Sequence, residues 1–247
     1  CAQQAGGDRA MSVPVVARAA APACRNAQTG RRTGIRAAAA QATRDAILRA
    51  ATRIFAKHGF DGGRVEQISK AAKSYDRMIY YYFGSKEGLY IAVLEELYRK
   101  FNEAESRLAL DLERPDKALE EVIRFTWNYY RRNPEFITLL NTENLHRGRH
   151  IAKSPSVGQH SSPAVRLLGE VLERGVARGL FRGTATARDV YLLIAAMGYF
   201  YLSNRYTLSA FLGERIDTPE ELAHWEAFIV DTVRRALAPP DVLTPAS

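Results

Sequence analysis

The sequence predicts an all-α protein, with an N-terminal three-helix, helix-turn-helix domain followed by a larger C-terminal helical domain. Three observations predict it. Apolar residues recur every three to four positions in successive segments from Ile47 to Val233. Helix-start and helix-stop residues such as Gly59, Ser85, Pro134, Thr186 and Thr218 punctuate those segments. Near Lys73-Ser74-Tyr75, two short helical patterns are joined by so few residues that only a tight turn fits between them.

Charge divides the chain more sharply than composition does. The 247 residues carry a net charge of +8, and hydrophobic residues at 47% are ordinary for a globular protein. Residues 1–42 hold six Arg and one Asp, residues 43–90 nine basic and five acidic side chains, and residues 91–247 twenty basic and 21 acidic. All the excess positive charge therefore lies in the first 90 residues, as expected of a polyanion-binding front end on a neutral body. For residues 1–42 alone, a basic disordered tail without a partner explains the composition equally well. Every apolar run is interrupted by a charged side chain before it could span a bilayer, so no membrane partner is expected. Cys1 and Cys24, both in the leading segment, give neither a disulfide framework nor a zinc spacing. No cofactor is expected, and the expected compartment is the cytoplasm. Met11 is a candidate start, but Pro14, Arg18 and Pro22 break the Ala/Val-rich stretch after it, which argues against a signal peptide.

Four regions follow: a flexible basic arm over 1–42, a helix-turn-helix domain over 43–90, a helical body over 91–240 and a Pro-rich tail over 241–247. Thr43 is a plausible N-cap for a first helix carrying Ile47, Leu48, Ala51, Ile54 and Phe55 and closed by Gly59. Val65, Ile68 and Ala71 or Ala72 mark a short second helix. Ser74 is the candidate N-cap of a third, with Asp76 in its first turn and its end at Tyr82 or Phe83. An advance of 100° per residue from Ile79 places Tyr75, Tyr82 and Phe83 on the buried side, Ser74, Arg77, Met78 and Tyr81 outward, and Tyr80 at the margin. A helix of this length fits the major groove, where Arg77 can hold guanine, Met78 can pack on a thymine methyl, and Tyr80 and Tyr81 can bond phosphates. Gly84-Ser85 ends that helix. Ser85 then caps a long fourth helix with a buried stripe of Leu89, Val93, Leu97, Phe101 and Leu108, and Lys86 in its first turn is a candidate phosphate ligand.

These residues carry a family resemblance. Thr43 to Phe60, Val65 to Ala72 and above all Ile79-Tyr80-Tyr81-Tyr82-Phe83-Gly84-Ser85-Lys86-Glu87-Gly88-Leu89 resemble the N-terminal domain of the tetracycline-repressor (TetR) family of bacterial transcriptional regulators. The resemblance covers about 50 residues and implies a homodimer that binds a near-palindromic, double-stranded DNA operator. Release would come from a small-molecule effector bound in the C-terminal domain. By motif position it adds phosphate contacts from Thr43, Tyr81 and Lys86. The chain departs from the family pattern where a hydroxyl residue usually begins the second helix, since Gly63 and Arg64 stand there, and where the turn usually reads Gly-Val, since Lys73-Ser74 stands there. Arg64 and Lys73 would substitute charged contacts for the missing ones, which predicts a steep salt dependence. The basic arm adds Arg31, Arg32 and Arg36 as candidate minor-groove contacts.

The body reads as further helices: Lys117–Arg132, one opened by Pro134, a loop over 147–162, then Pro163–Arg178, a strongly apolar helix capped by Thr186, and a last helix opened by the Thr218-Pro219-Glu220-Glu221 capping box. The last two long helices would form a four-helix interface between subunits, unless the apolar one is buried within a single subunit. Candidate ligand-binding residues are Trp127, Tyr130, Phe136, Asn141, Asn144 and Tyr199, with His146 or Arg149 near the mouth. Two rival functions stand beside this one. Glu143 and His146, three apart on one helix face, are the best catalytic or metal pair, but no second Glu-x-x-His, phosphate loop, dinucleotide fingerprint or nucleophile elbow accompanies them, so no enzyme is expected. The other is a ligand- or protein-binding module of the same fold that does not bind an operator, suggested by Gly63 and Lys73.

Overall fold

A computed structural model describes residues 25–156 and 163–239, with side chains described from Arg36 onward apart from Ala164. Its α-helices are α1 (Arg25–Gly62), α2 (Val65–Ala71), α3 (Asp76–Phe83), α4 (Lys86–Glu105), α5 (Pro115–Arg132), α6 (Pro134–Leu145), α7 (Pro163–Ala177), α8 (Ala187–Leu212) and α9 (Pro219–Leu237), with a single 3-10 turn at Ile151–Lys153. There is no strand among the described residues, and no described helix is long and apolar enough to cross a membrane. Residues Cys1–Ala42 form one unit, of which the described part is the opening of α1; Thr43–Ser247 form a second, to which everything below belongs.

The start of α1 differs from expectation. The helix begins at Arg25, so residues 25–42 are helical rather than an irregular arm, and Thr43 lies inside the helix instead of capping it. The Ala-rich run Ala37–Ala40 has the highest helix propensity of any residue type and carries the helix back past Thr43. The candidate contacts Arg31 and Arg32 lie outside the described side chains, as do residues 1–24 and the tail from 240. Gly59, at φ 69°, breaks the helix as its position suggests.

Gly63 answers a packing need rather than a conformational one. An ideal Cβ there would lie 2.5 Å from a ring carbon of Phe55, which is fully buried under the first turn of α2. The chain therefore gives up a hydroxyl residue at this point to let Phe55 fill the centre of the reading head. Ile47, Ala51, Ile68, Ile79, Leu89 and Val93 complete that core without exposure. Leu108 falls beyond the end of α4 and is only half-buried, so the buried stripe stops at Phe101 and the fully buried Glu105.

The expected caps of the later helices are present. Ser85 Oγ accepts from Gly88 N at 2.9 Å, Thr186 Oγ1 from Asp189 N at 3.1 Å and Thr218 Oγ1 from Glu221 N at 3.3 Å. In the body, α5 is sandwiched by α7, α8 and α9, with Leu119, Ile123 and Trp127 in the fully buried layer.

Candidate nucleic-acid interface and ligand cavity

The turn between α2 and α3 is built from backbone geometry. Lys73 N donates to Lys70 O at 3.2 Å and Ser74 N to Ser69 O at 2.9 Å, the paired bonds that close a helix through a left-handed residue. That residue is Lys73, at φ 52°, where glycine would sit without strain. A cationic side chain is thus held at the tip of the turn at a conformational cost. Substituting Lys73→Gly is expected to raise stability by about 1 kcal/mol through relief of that strain. A phosphate contact from Lys73 would show in the same change as a fall of about one in the slope of log affinity for DNA against log salt. Chemical denaturation and a salt titration of DNA binding check the two halves.

Ser69 Oγ bonds Asp76 at the first turn of α3 and also reaches Glu66 O at 3.1 Å, which fixes the two helices of the motif against each other. The N-cap of α3 is Tyr75, not Ser74. Because Tyr75 has an extended backbone (φ −103°, ψ 149°), the helical advance that placed its ring inside does not apply, and the ring is 72% exposed. Along the helix itself the advance holds except at Met78. Ile79 is buried, Tyr82 and Phe83 are half-buried against the core, Arg77 is exposed, and Tyr80 and Tyr81 are 52% and 77% exposed. Met78 differs from expectation: it is half-buried and packs on the core, since it lies only 100° from Ile79 and its unbranched side chain can fold inward.

Flanking cations frame this surface. Arg64, exposed, caps α2 and donates its backbone N–H to Gln67 Oε1 at 3.4 Å. Arg44 places its guanidinium carbon 5.0 Å from the centre of the Phe83 ring. Lys86 is turned back on the end of α1, with Nζ donating to Asp61 O at 3.2 Å and lying 4.8 Å from the Phe60 ring centre. Thr43 is half-buried.

Between α4 and the body helices lies a cavity of about 850 Å³. Tyr130 and Phe136 line it, as the sequence suggested, and the other four candidates do not. Trp127 is sealed in the core beside Tyr201, with ring centres 5.8 Å apart. Asn141, Asn144 and Tyr199 are joined to one another between α6 and α8: Tyr199 Oη donates to Asn141 Oδ1, Ser203 Oγ donates to the same atom at 3.1 Å, and Asn144 Nδ2 reaches Tyr199 Oη at 3.4 Å. Sequence reasoning missed the α4 wall, made of Glu95, Tyr98, Arg99 and Asn102. Their spacing of three to four residues, on a face other than the apolar stripe, was the available signal.

Glu143 and His146 do not form a pair. Helix α6 ends at Leu145, and His146 swings to Asp61 at 3.8 Å. Glu143 instead grips the turn that follows. Its Oε1 accepts from His150 N at 2.8 Å and Ile151 N at 3.0 Å, and its Oε2 lies 2.8 Å from His150 Nδ1. Arg149 Nε donates to His150 Nε2 at 3.3 Å, so the network assigns the Nδ1 proton to the Glu143 bond. Burial opposes ionisation of Glu143, but the two backbone N–H groups and His150 outweigh it and hold the carboxyl below its ordinary value of 4.5. The buried His150 ring sits against Phe60 and Tyr90, at 4.5 and 5.0 Å between centres. Lys153 pairs with Glu87 at 2.7 Å, and Ser154 Oγ donates to Glu95 at 2.6 Å. Residues 147–156, expected as part of a long loop, are thus a structured strap from α6 to the reading head, while 157–162 lie outside the described residues. Arg149 is exposed and absent from the cavity wall. No cluster of three or more His, Cys, Asp or Glu suited to a metal occurs among the described residues.

A helix-turn-helix with a cationic, aromatic outer face on a neutral helical body defines a DNA-binding regulator. Comparison with known proteins agrees. Residues 47–93 match the family model described as bacterial regulatory proteins, tetR family, and residues 115–233 match the tetracyclin repressor-like C-terminal domain. The chain is 53% identical over 207 residues to the HTH-type transcriptional repressor NicS of Pseudomonas putida, covering 84% of this chain and 98% of that one. It is 30% identical over 157 residues to the repressor SCO4008 of Streptomyces coelicolor, covering 64% and 77% respectively. The fold is similar to that of the transcriptional regulator FadR from Bacillus subtilis, with a TM-score of 0.57 at 18% identity over 78% of this chain and 98% of that one. The chain belongs to the TetR family of transcriptional regulators.

Proposed function

We propose that the protein is a repressor that binds a near-palindromic operator as a homodimer and is released when a small molecule enters the cavity among α4 to α8. The observation that carries this reading is α3 itself, which leaves Arg77, Tyr80 and Tyr81 exposed beside Lys73 and Arg64. Large aromatic surface is costly to leave in water, an exposed guanidinium is a strong donor for phosphate or guanine, and a DNA groove makes use of both. Thr43 and Lys86 would join these side chains as phosphate ligands, Lys86 by exchanging its bond to Asp61 O, and Ser74 and Met78, both half-buried, border the surface. Dimerisation through α8 and α9 is supported by Leu192 and Phe200 on α8 and Phe228 on α9, all exposed. Leucine and phenylalanine at such exposure fit a subunit contact better than solvent.

Regulation requires only that effector prefer one spacing of the two reading heads. Helix α4 lines the cavity along one face and buries Leu89 and Val93 in the reading head, so a ligand between α4 and Phe136 bears on both. The strap from Glu143 to Ser154 gives the same helix a second attachment. Arg77→Ala should relax base preference at one operator position by roughly 1 to 3 kcal/mol, and Lys73→Ala should weaken binding to all sequences alike. Binding titrations on a selected duplex and its single-base variants distinguish the two. Equal effects of both substitutions on every duplex would contradict the assignment and favour a module that does not read an operator.

A further inference from the structure

The reading surface contains a large side chain with no place in the roles above. Tyr75 stands at the N-cap of α3 with 72% of its surface exposed, and its side chain makes no capping bond. An aromatic ring gains nothing as a cap, because a cap needs a short acceptor beside the first free N–H groups. What the ring does hold is Arg77, whose guanidinium carbon lies 5.2 Å from the ring centre. Arg77 has no ion-pair partner among the described residues, and the neighbouring acid, Asp76, is taken by Ser69.

A guanidinium stacked on a ring is held by its face. Its five N–H donors lie in its own plane and stay available at the edges. The stack therefore removes rotamer freedom from Arg77 before DNA arrives without consuming the donors that a guanine O6 and N7 would take. Resting on the operator-binding reading, we propose that Tyr75 is a positioning residue for sequence recognition: its ring holds the Arg77 fork in the orientation that reads one base pair. The ring supplies this function, and the phenol hydroxyl does not.

The test uses the full chain and a duplex selected by the wild type from a random pool, with a scrambled duplex as reference. Affinities for both are measured for wild type, Tyr75→Phe, Tyr75→Leu, Arg77→Ala and the Tyr75→Leu/Arg77→Ala double variant. Tyr75→Phe should keep the wild-type preference. Tyr75→Leu should lose roughly three- to thirtyfold of it with little change on scrambled DNA, the range expected of a cation–π contact. In the Arg77→Ala background the Tyr75→Leu change should have no further effect. Since the side chain is mostly in water, thermal melts of Tyr75→Leu should match the wild type. The inference is overturned if Tyr75→Phe loses as much as Tyr75→Leu, which would make the hydroxyl a phosphate ligand. It is overturned equally if Tyr75→Leu keeps the preference, if it weakens both duplexes alike, or if the two single losses add. A wild type that selects no duplex would remove the operator reading itself, an outcome visible before any variant is made.

Discussion

Replacing Glu143 with alanine is expected to destabilise the protein by roughly 3 to 5 kcal/mol near neutral pH, the range for removing one partner of a buried polar pair. The carboxylate is buried and satisfies two backbone N–H groups and the His150 ring at once. Alanine leaves all three donors without their acceptor beside the rings of Phe60 and Tyr90. The pH dependence has a definite sign. Because the folded carboxyl titrates below its ordinary value of 4.5, the contribution is fully present above that value and is lost as pH falls through the folded one. Urea denaturation of wild type and variant should therefore show a gap that is constant near neutrality and closes in acid. A gap smaller than about 1 kcal/mol near neutrality, ordinary for a surface site, would contradict the strap as described.

The second large effect lies in the reading head. Phe55→Ala should cost roughly 3 to 5 kcal/mol, because the ring is fully buried and the space it leaves cannot collapse between helices fixed by the turn. Phe55 meets Tyr90 edge-on at 5.1 Å and Phe60 at 6.3 Å, so its loss also loosens the seat of His150. Gly63→Ala is predicted to cost about 1 to 3 kcal/mol by overpacking, since its new methyl would meet the same ring. The two costs share one cause, and in a Phe55→Ala background the Gly63→Ala change should be nearly neutral. Denaturation of the four proteins closes the cycle. Additive losses would show that Gly63 serves some other need.

Where α4, α8 and α9 begin was legible because the signals are local, whereas the starts of α1 and α3 were not. Ser85, Thr186 and Thr218 are acceptors placed one residue before an apolar period, and nothing distant competes with them. The outward faces of Arg77 and Tyr81 follow from helical advance alone, which left Tyr80 at the margin. Tyr75 escaped that reasoning because it belongs to the turn, where backbone angles and not the 100° step set the side-chain direction. The strap escaped it for a related reason: the i, i+3 rule pairs Glu143 with His146 only if α6 continues, and it stops one residue short. Glu143 finds His150 seven residues away across a turn, a pairing no periodicity encodes. The cavity was half legible. Tyr130 and Phe136 declare themselves as apolar helix positions, whereas Tyr98 and Arg99 lie on a polar face of α4 that looks like an ordinary solvated surface until α5 to α8 are placed around it.

Footprinting of the full chain on a duplex it selects from random sequence tests the central claim most directly, that α3 reads a groove from each of two paired subunits. Two protected half-sites related by a dyad, each centred on major-groove contacts and both altered by Arg77→Ala, are the predicted result. Uniform low-salt binding without a protected site, or protection of a single half-site by a monomer, would contradict it.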